Sequence, residues 1–127
     1  MEESTELALP VVPEGASVHF GNLNDGDKVT SPFTVNMVAE GITVHPAGEL
    51  MEGTGHHHII VDGTSGALGE VVPADETHIH FGGGQTETEL NLAPGAHTLT
   101  LQFADGLHRS YGEALSATIN IEVEAAE

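Results

Sequence analysis

"GTGHHHIIVDGTSG", residues 53 to 66, sets three consecutive histidines directly against Ile59, Ile60 and Val61. A purification tag sits at a terminus and runs longer. This triplet is internal and continuous with an aliphatic run, so it belongs to the folded chain and reads as a strand between turn signals. Successive side chains of a strand point to opposite faces. His56 and His58 therefore share one face and His57 takes the other.

The same alternation runs outward from there. "SVHFGNL", "SPFTVNMVAEG", "ITVHPAG", "THIHFGG", "TETELNL", "HTLTLQF" and "SATINIEVE" are short segments parted by Gly, Pro, Asn and Asp. Thr86, Thr88, Leu90 and Leu92 share a face, as do His97, Leu99, Leu101 and Phe103, and Ile119, Ile121 and Val123. No segment carries a helical stripe. Strands this short predict an all-β fold, an antiparallel β-sandwich of about seven or eight strands. With four Phe, one Tyr and no Trp, its core is aliphatic. Residues 1–15 read as a flexible N-terminal arm and 16–127 as a single His-rich domain.

Nine histidines in 127 residues is an unusual load, and their spacing carries the functional expectation. His78 and His80 in "HIH" repeat the spacing of His56 and His58. Side chains at i and i+2 on a strand lie roughly 6 to 7 Å apart, close enough for two imidazoles to hold one ion. Two such pairs on different strands supply four nitrogens. The chain has no Cys, and only Met37 and Met51 beyond Met1, so the available ligands are imidazole and carboxylate. That set suits Cu(II), Zn(II) or Ni(II) better than Cu(I). The expected ligands are His56, His58, His78 and His80, with His97 and His108 as further candidates. His97 also fits a core histidine, since it shares a face with Leu99, Leu101 and Phe103. His19 and His45 lie outside the cluster. Asp62, Glu87, Glu89 and Asp105 are candidates for orienting the imidazoles. The glycines at 82 to 84 lack the Lys-Ser/Thr and helix of a phosphate loop. They read as a bend that brings Gln85 and Glu87 toward the histidines.

Charge narrows the partners. Twenty acidic residues stand against Lys28 and Arg109, a net charge of −18 with neutral His. Such a surface repels phosphate backbones and anionic lipid, which argues against nucleic acid and membrane surfaces, and it attracts cations. It also serves plain solubility. Without Cys there are no disulfides, and the redox compartment stays open. No run approaches the roughly 18 apolar residues of a membrane span. The opening "MEESTELALPVVPEG" has no signal-peptide pattern, so the chain is cytoplasmic or has lost a leader.

Three stretches, "PAGELMEGTGHHHIIVDG", "ETHIHFGGGQTETELNLAPGAHTLTLQFAD" and the downstream His108, resemble the bacterial family known as domain of unknown function 4399, over roughly residues 16 to 124. Members of that family typically carry export signals, so the resemblance implies a removed leader and a periplasmic or extracellular location. The family name implies no activity. Relatives continue past this histidine with a Pro-Pro segment where this chain reads "HRSYGEALS", which implies a differently shaped loop around His108. The last hairpin, "LAPGAHTLTLQFADGLHRSYGEALSATINIEV", is more distantly similar to the periplasmic copper-resistance proteins of the CopC type. Their sandwich is immunoglobulin-like, and an Asp-Gly-His after the corresponding strand supplies copper ligands. Here Asp105 and His108 stand in "ADGLH", with one more residue between them. "HIHFG" is faintly similar to copper–zinc superoxide dismutases, whose bridging-histidine and disulfide patterns are absent.

Three functions fit. One is an exported protein holding a divalent metal, copper first and zinc second, for buffering, delivery or resistance. Another is an interaction module without metal, its histidines forming a hydrogen-bonded cluster. The third is a small copper enzyme, which requires an open coordination position. The reading favours holding over catalysis. It names a metal ion as partner and identifies no protein partner.

Overall fold

The period-two segments fold as strands, packed in two sheets. The computed structural model describes residues 12–48, 53–63, 67–73, 75 and 77–125. In chain order the strands are β1 (Ser17–Phe20), β2 (Lys28–Thr30), β3 (Phe33–Glu40), β4 (Thr43–Val44), β5 (Thr54–Val61), β6 (His78–His80), β7 (Glu87–Leu90), β8 (Gly95–Ala104) and β9 (Ser116–Glu124). A 3-10 turn, Glu113–Leu115, precedes β9. Among the described residues no helix is long and apolar enough to cross a membrane.

One sheet has the order β1-β3-β7 and the other β2-β9-β8-β5-β4, with β6 also paired to β5. Most pairs are antiparallel, as expected, but β2–β9 and β4–β5 are parallel, so the larger sheet is mixed. The core lies between the sheets. Phe20, Phe33, Val35, Met37 and Leu90 of the smaller sheet meet Ile59, Val61, Leu99, Leu101, Phe103 and Ile121 of the larger. These are the alternate residues of each strand, and their burial is what fixes the register. Val12 already packs on this core, inside the stretch expected to be a free arm. Residues 1–11 of that arm lie outside the described residues.

The glycine segment bends as expected, but not toward the histidines. After Phe81, which is buried in the core, the Gly84 N–H closes a turn on the Phe81 carbonyl. The chain then crosses to the other sheet, where Glu87 pairs opposite Asn36. Gln85 turns back to accept the Gly83 N–H, and Glu87 is exposed, so the crossing carries both away from β5.

The outer face of β5 and β8 is buried too. Ile60, Thr100 and Gln102 have almost no exposure, and the segments 67–73 and 105–112 run on this side of the sheet, where His80 meets Pro73 and Gln102 meets Gly112. These segments pair with each other through a Val71–Arg109 bridge. Hydrogen bonds from Gly69 to the Ser110 carbonyl and from Ser110 to the Glu70 carbonyl reinforce the pairing. The Gln102 amide donates to the Gly112 and Leu115 carbonyls, tying this cover to the sheet.

Gly55, at the head of the histidine triplet, lies where β5 presses on β8. A Cβ there would collide with the Ala104 carbonyl and the Phe103 ring. Gly55→Ala is therefore expected to destabilise the fold by about 1–3 kcal/mol, an overpacking cost, read as a lower urea midpoint. At Gly82 an added methyl meets only Ala47 at 3.5 Å, ordinary contact, and Gly82→Ala is expected to leave the midpoint nearly unchanged.

Candidate metal centre

Pairing with β8 decides where each histidine of the triplet points. Residues directly opposite in an antiparallel ladder share a face. His57 lies opposite Phe103 and enters the sandwich core, its ring edge-on to the Phe103 ring at 5.0 Å. His56 and His58, opposite Ala104 and Gln102, face the covered side and are fully buried.

His108 reaches the same place from the turn that follows β8. The buried Asp105 carboxylate accepts the N–H groups of Leu107 and Arg109, each at 2.9 Å, and the Arg109 Nε–H at 2.8 Å. The His108 N–H donates to the Asp105 carbonyl, and the Asp105 N–H to the Arg109 carbonyl. So held, His108 adopts a left-handed φ of 65°, a conformation that β-branched residues strongly resist. Its Nδ1 stands 3.0 Å from Nε2 of His56 and 3.4 Å from Nε2 of His58.

These three nitrogens lie within 4.8 Å of one another and form a group able to hold a metal ion. A metal–nitrogen bond of about 2.0–2.1 Å in a tetrahedral site implies nitrogens about 3.3–3.4 Å apart, and the two short separations bracket that value. Hydrogen bonding alone satisfies the cluster poorly. One N–H on His108 Nδ1 faces two acceptors, while Nδ1 of His56 makes no hydrogen bond among the described residues. Nδ1 of His58 makes none of good geometry either, although the Gln102 backbone acts on its ring in favour of the charged form.

Burial also sets the protonation state. It pulls the His56 pKa down to about 4, helped by repulsion from His108 and His80 and opposed by Asp105. His58 falls to about 2, through burial first and then the neighbouring imidazoles. His57 falls to about 4 through burial and then His56. His108 is lowered by burial and then by His80, against Asp105. At neutral pH the cluster is a set of neutral rings with lone pairs to offer, the form in which imidazole binds metals.

The other expected ligands are placed differently. His80, opposite His58 on β6, has its ring 4.3 Å from that of His58 and 4.8 Å from that of His108, and its Nε2 is 2.7 Å from the Pro73 carbonyl. His78, opposite Ile60, turns to Asp75, with Nδ1 2.7 Å from the carboxylate. His97 is used at both nitrogens, by Asp62 at 2.9 Å and the Ala93 carbonyl at 2.7 Å. Of the six, the structure gathers His56, His58 and His108, sets His80 beside them, and engages His78 and His97 elsewhere. Asp105 acts by shaping the turn, Asp62 by holding His97. Sequence reasoning passed over Arg109, Gln102 and Pro73. Only Arg109, four residues from Asp105 in a chain with two cations, left a trace that could have been read.

A family model described as "Domain of unknown function (DUF4399)" matches residues 35–124, which include His56, His58 and His108 as well as His80, and the chain belongs to that family. No curated protein and no solved structure matches the chain.

The buried imidazoles make stability depend on pH with a definite sign. Their folded pKa values lie below the unfolded value of 6.5, so as pH falls below 6.5 the unfolded chain takes up protons that the folded chain refuses. The stability that these three histidines contribute to the metal-free protein is expected to be full above about pH 7 and to fall between 6.5 and 4, by up to about 1.4 kcal/mol per pH unit for each, while His97, raised by its bond to Asp62, opposes the trend. Asp62 and Asp75 are held ionised below their ordinary range, so they stay charged through this window. Urea midpoints measured from pH 7.5 to 4 check this, and His57→Leu is expected to flatten the slope by one histidine's share.

Proposed function

We propose that this member of the DUF4399 family holds a divalent transition metal through His56, His58 and His108, for buffering, delivery or resistance outside the cytoplasm. The observation that carries the reading is the convergence of three neutral nitrogens, 3.0 and 3.4 Å apart, on the buried side of β5. An ion supplies the positive charge that these crowded lone pairs lack. Copper is the first candidate, because Cu(II) heads the affinity order for nitrogen ligands. Zinc is the second, because the nitrogen spacing suits a tetrahedral ion. The net charge of −18 favours the reading by concentrating cations at the surface. The location rests on the likeness to exported relatives.

A second reading, a polar cluster without metal, draws on the same 3.0 Å contact taken as a hydrogen bond between His56 and His108. In it the turn after β8 is pinned to β5 by imidazoles alone.

Calorimetric titration of the tag-free protein with Cu(II) and Zn(II) separates the two. Micromolar or tighter binding is expected near pH 7.5, with His56→Ala, His58→Ala and His108→Ala each weakening it at least tenfold, about 1.4 kcal/mol. These three changes should combine non-additively, since they strip one site. His97→Ala and His57→Leu should leave affinity nearly unchanged. Because burial keeps His56 and His58 neutral well below 6.5, affinity should fall only modestly between pH 7.5 and 5.5. Absence of binding to either ion leaves the polar cluster.

A further inference from the structure

We infer that His80 is the fourth ligand of this centre, binding through Nδ1 while the Pro73 carbonyl holds its Nε2–H, so that the ion sits in a closed shell of four imidazoles. The inference rests on the metal reading above and extends it from three ligands to the whole coordination sphere.

Register brings His80 to the site. It stands directly opposite His58 across the β5–β6 pair, so the two side chains share a face. Its ring lies beside both His58 and His108. The tautomer follows from the partner. A carbonyl oxygen only accepts, so the 2.7 Å contact with Pro73 puts the proton on Nε2 and leaves the lone pair on Nδ1. A ligating histidine typically shows this arrangement, with one nitrogen free for the ion and the other donating to a backbone carbonyl that fixes the ring. His80 stands outside the tight group of three nitrogens, so ligation by its Nδ1 requires the ring to move inward when the ion binds.

The dipeptide Val72–Pro73 holds both ligands that lie off β5. The Val72 N–H donates to the His108 carbonyl at 2.8 Å, and the Pro73 carbonyl accepts from His80. Val72 is buried, and Pro73 has its φ locked by its ring. The spacing of the third and fourth ligands is thus set by one stiff element. Four protein nitrogens leave no position for a substrate or an activated water, and metal sites closed in this way hold the ion, whereas catalytic ones keep a position open. The centre stores or hands on its metal and does no chemistry with it. A tetrahedral shell also benefits Zn(II) more than Cu(II), which prefers a tetragonal one.

Co(II) serves as the probe, because its visible absorption is strong in four-coordinate tetrahedral sites and weak in higher coordination. The 127-residue chain is titrated with Co(II) and then with Zn(II) in competition, alongside His80→Gln, whose amide can still donate to the Pro73 carbonyl but offers no imidazole. The expected result is an intense band in the wild type that azide does not change. In His80→Gln the band is lost or shifts on adding azide, and Zn(II) binding is at least tenfold weaker. Unchanged melting and far-UV circular dichroism establish that the variant folds; if it does not, the azide response of the wild type decides alone. A wild-type band that azide shifts, or a His80→Gln protein with the parental spectrum and affinity, overturns the fourth ligand and leaves the three-histidine site standing. Absence of Co(II) and Zn(II) binding in the wild type overturns the four-imidazole shell, and absence of Cu(II) binding as well overturns the metal reading itself.

Discussion

The pairing of β5 with β8 is the constraint on which the site depends. Two of the clustered histidines ride on β5, and the third follows β8 by four residues, so one ladder governs all three nitrogen positions. A slip of one residue would exchange the faces. His56 and His58 would then enter the aliphatic core, and His57 would face the covered side alone. Gly55 resists that slip, because only a residue without a side chain lets the start of β5 lie against Ala104 and Phe103. Beyond the ladder, the Asp105 turn has only to send His108 back over the strand its own chain has just paired with.

The arrangement works against the fold's stability as well as for its site. A buried polar atom left without a partner costs about 1–3 kcal/mol. Both nitrogens of His57 are in that state inside the core, where an ion held on the opposite face of β5 does not reach them. The triad is a different case. Its Nε2 and Nδ1 atoms face one another, so its crowding is relieved by anything positive placed between them, whether a shared proton or a metal. A ligand that binds only the folded state stabilises it by mass action. The fold thus bears the cost of His57 and of the Nδ1 atoms of His56 and His58 permanently, and only the crowding of the facing nitrogens is open to relief.

Much of this was legible in period two alone. The strands, the sandwich and the facing of His56, His57 and His58 follow from alternation that needs no tertiary knowledge. Other features were hidden for physical reasons. β2 has three residues and β4 two, too few to show a period, and their parallel pairing leaves no local signature. His78 and His97 matched the pattern, but each is drawn off by an aspartate: Asp75, in the turn three residues before His78, and Asp62, brought to His97 from 35 residues away by the fold. The glycine bend was seen and its destination was not, because nothing in "FGGGQ" says which sheet the chain joins next. Burial of the outer face of β5 was equally invisible. A strand with imidazoles on one side reads as half exposed unless the covering segments 67–73 and 105–112 are already known.

The order of the strands has one more consequence. β3, β5, β8 and β9, of eight to ten residues each, all lie inside their sheets, while the edges are β1, β2, β4, β6 and β7, none longer than four. An unpaired edge is where a second chain can add itself, and a long apolar one is a template for aggregation. Here each edge offers only a few backbone groups, and β7 lines its own with Glu87 and Glu89. The segment most dangerous if it came loose, "HHHIIV", is flanked on both sides. A chain rich in β-structure and poor in positive charge thus keeps its long apolar strands out of reach of a second copy of itself.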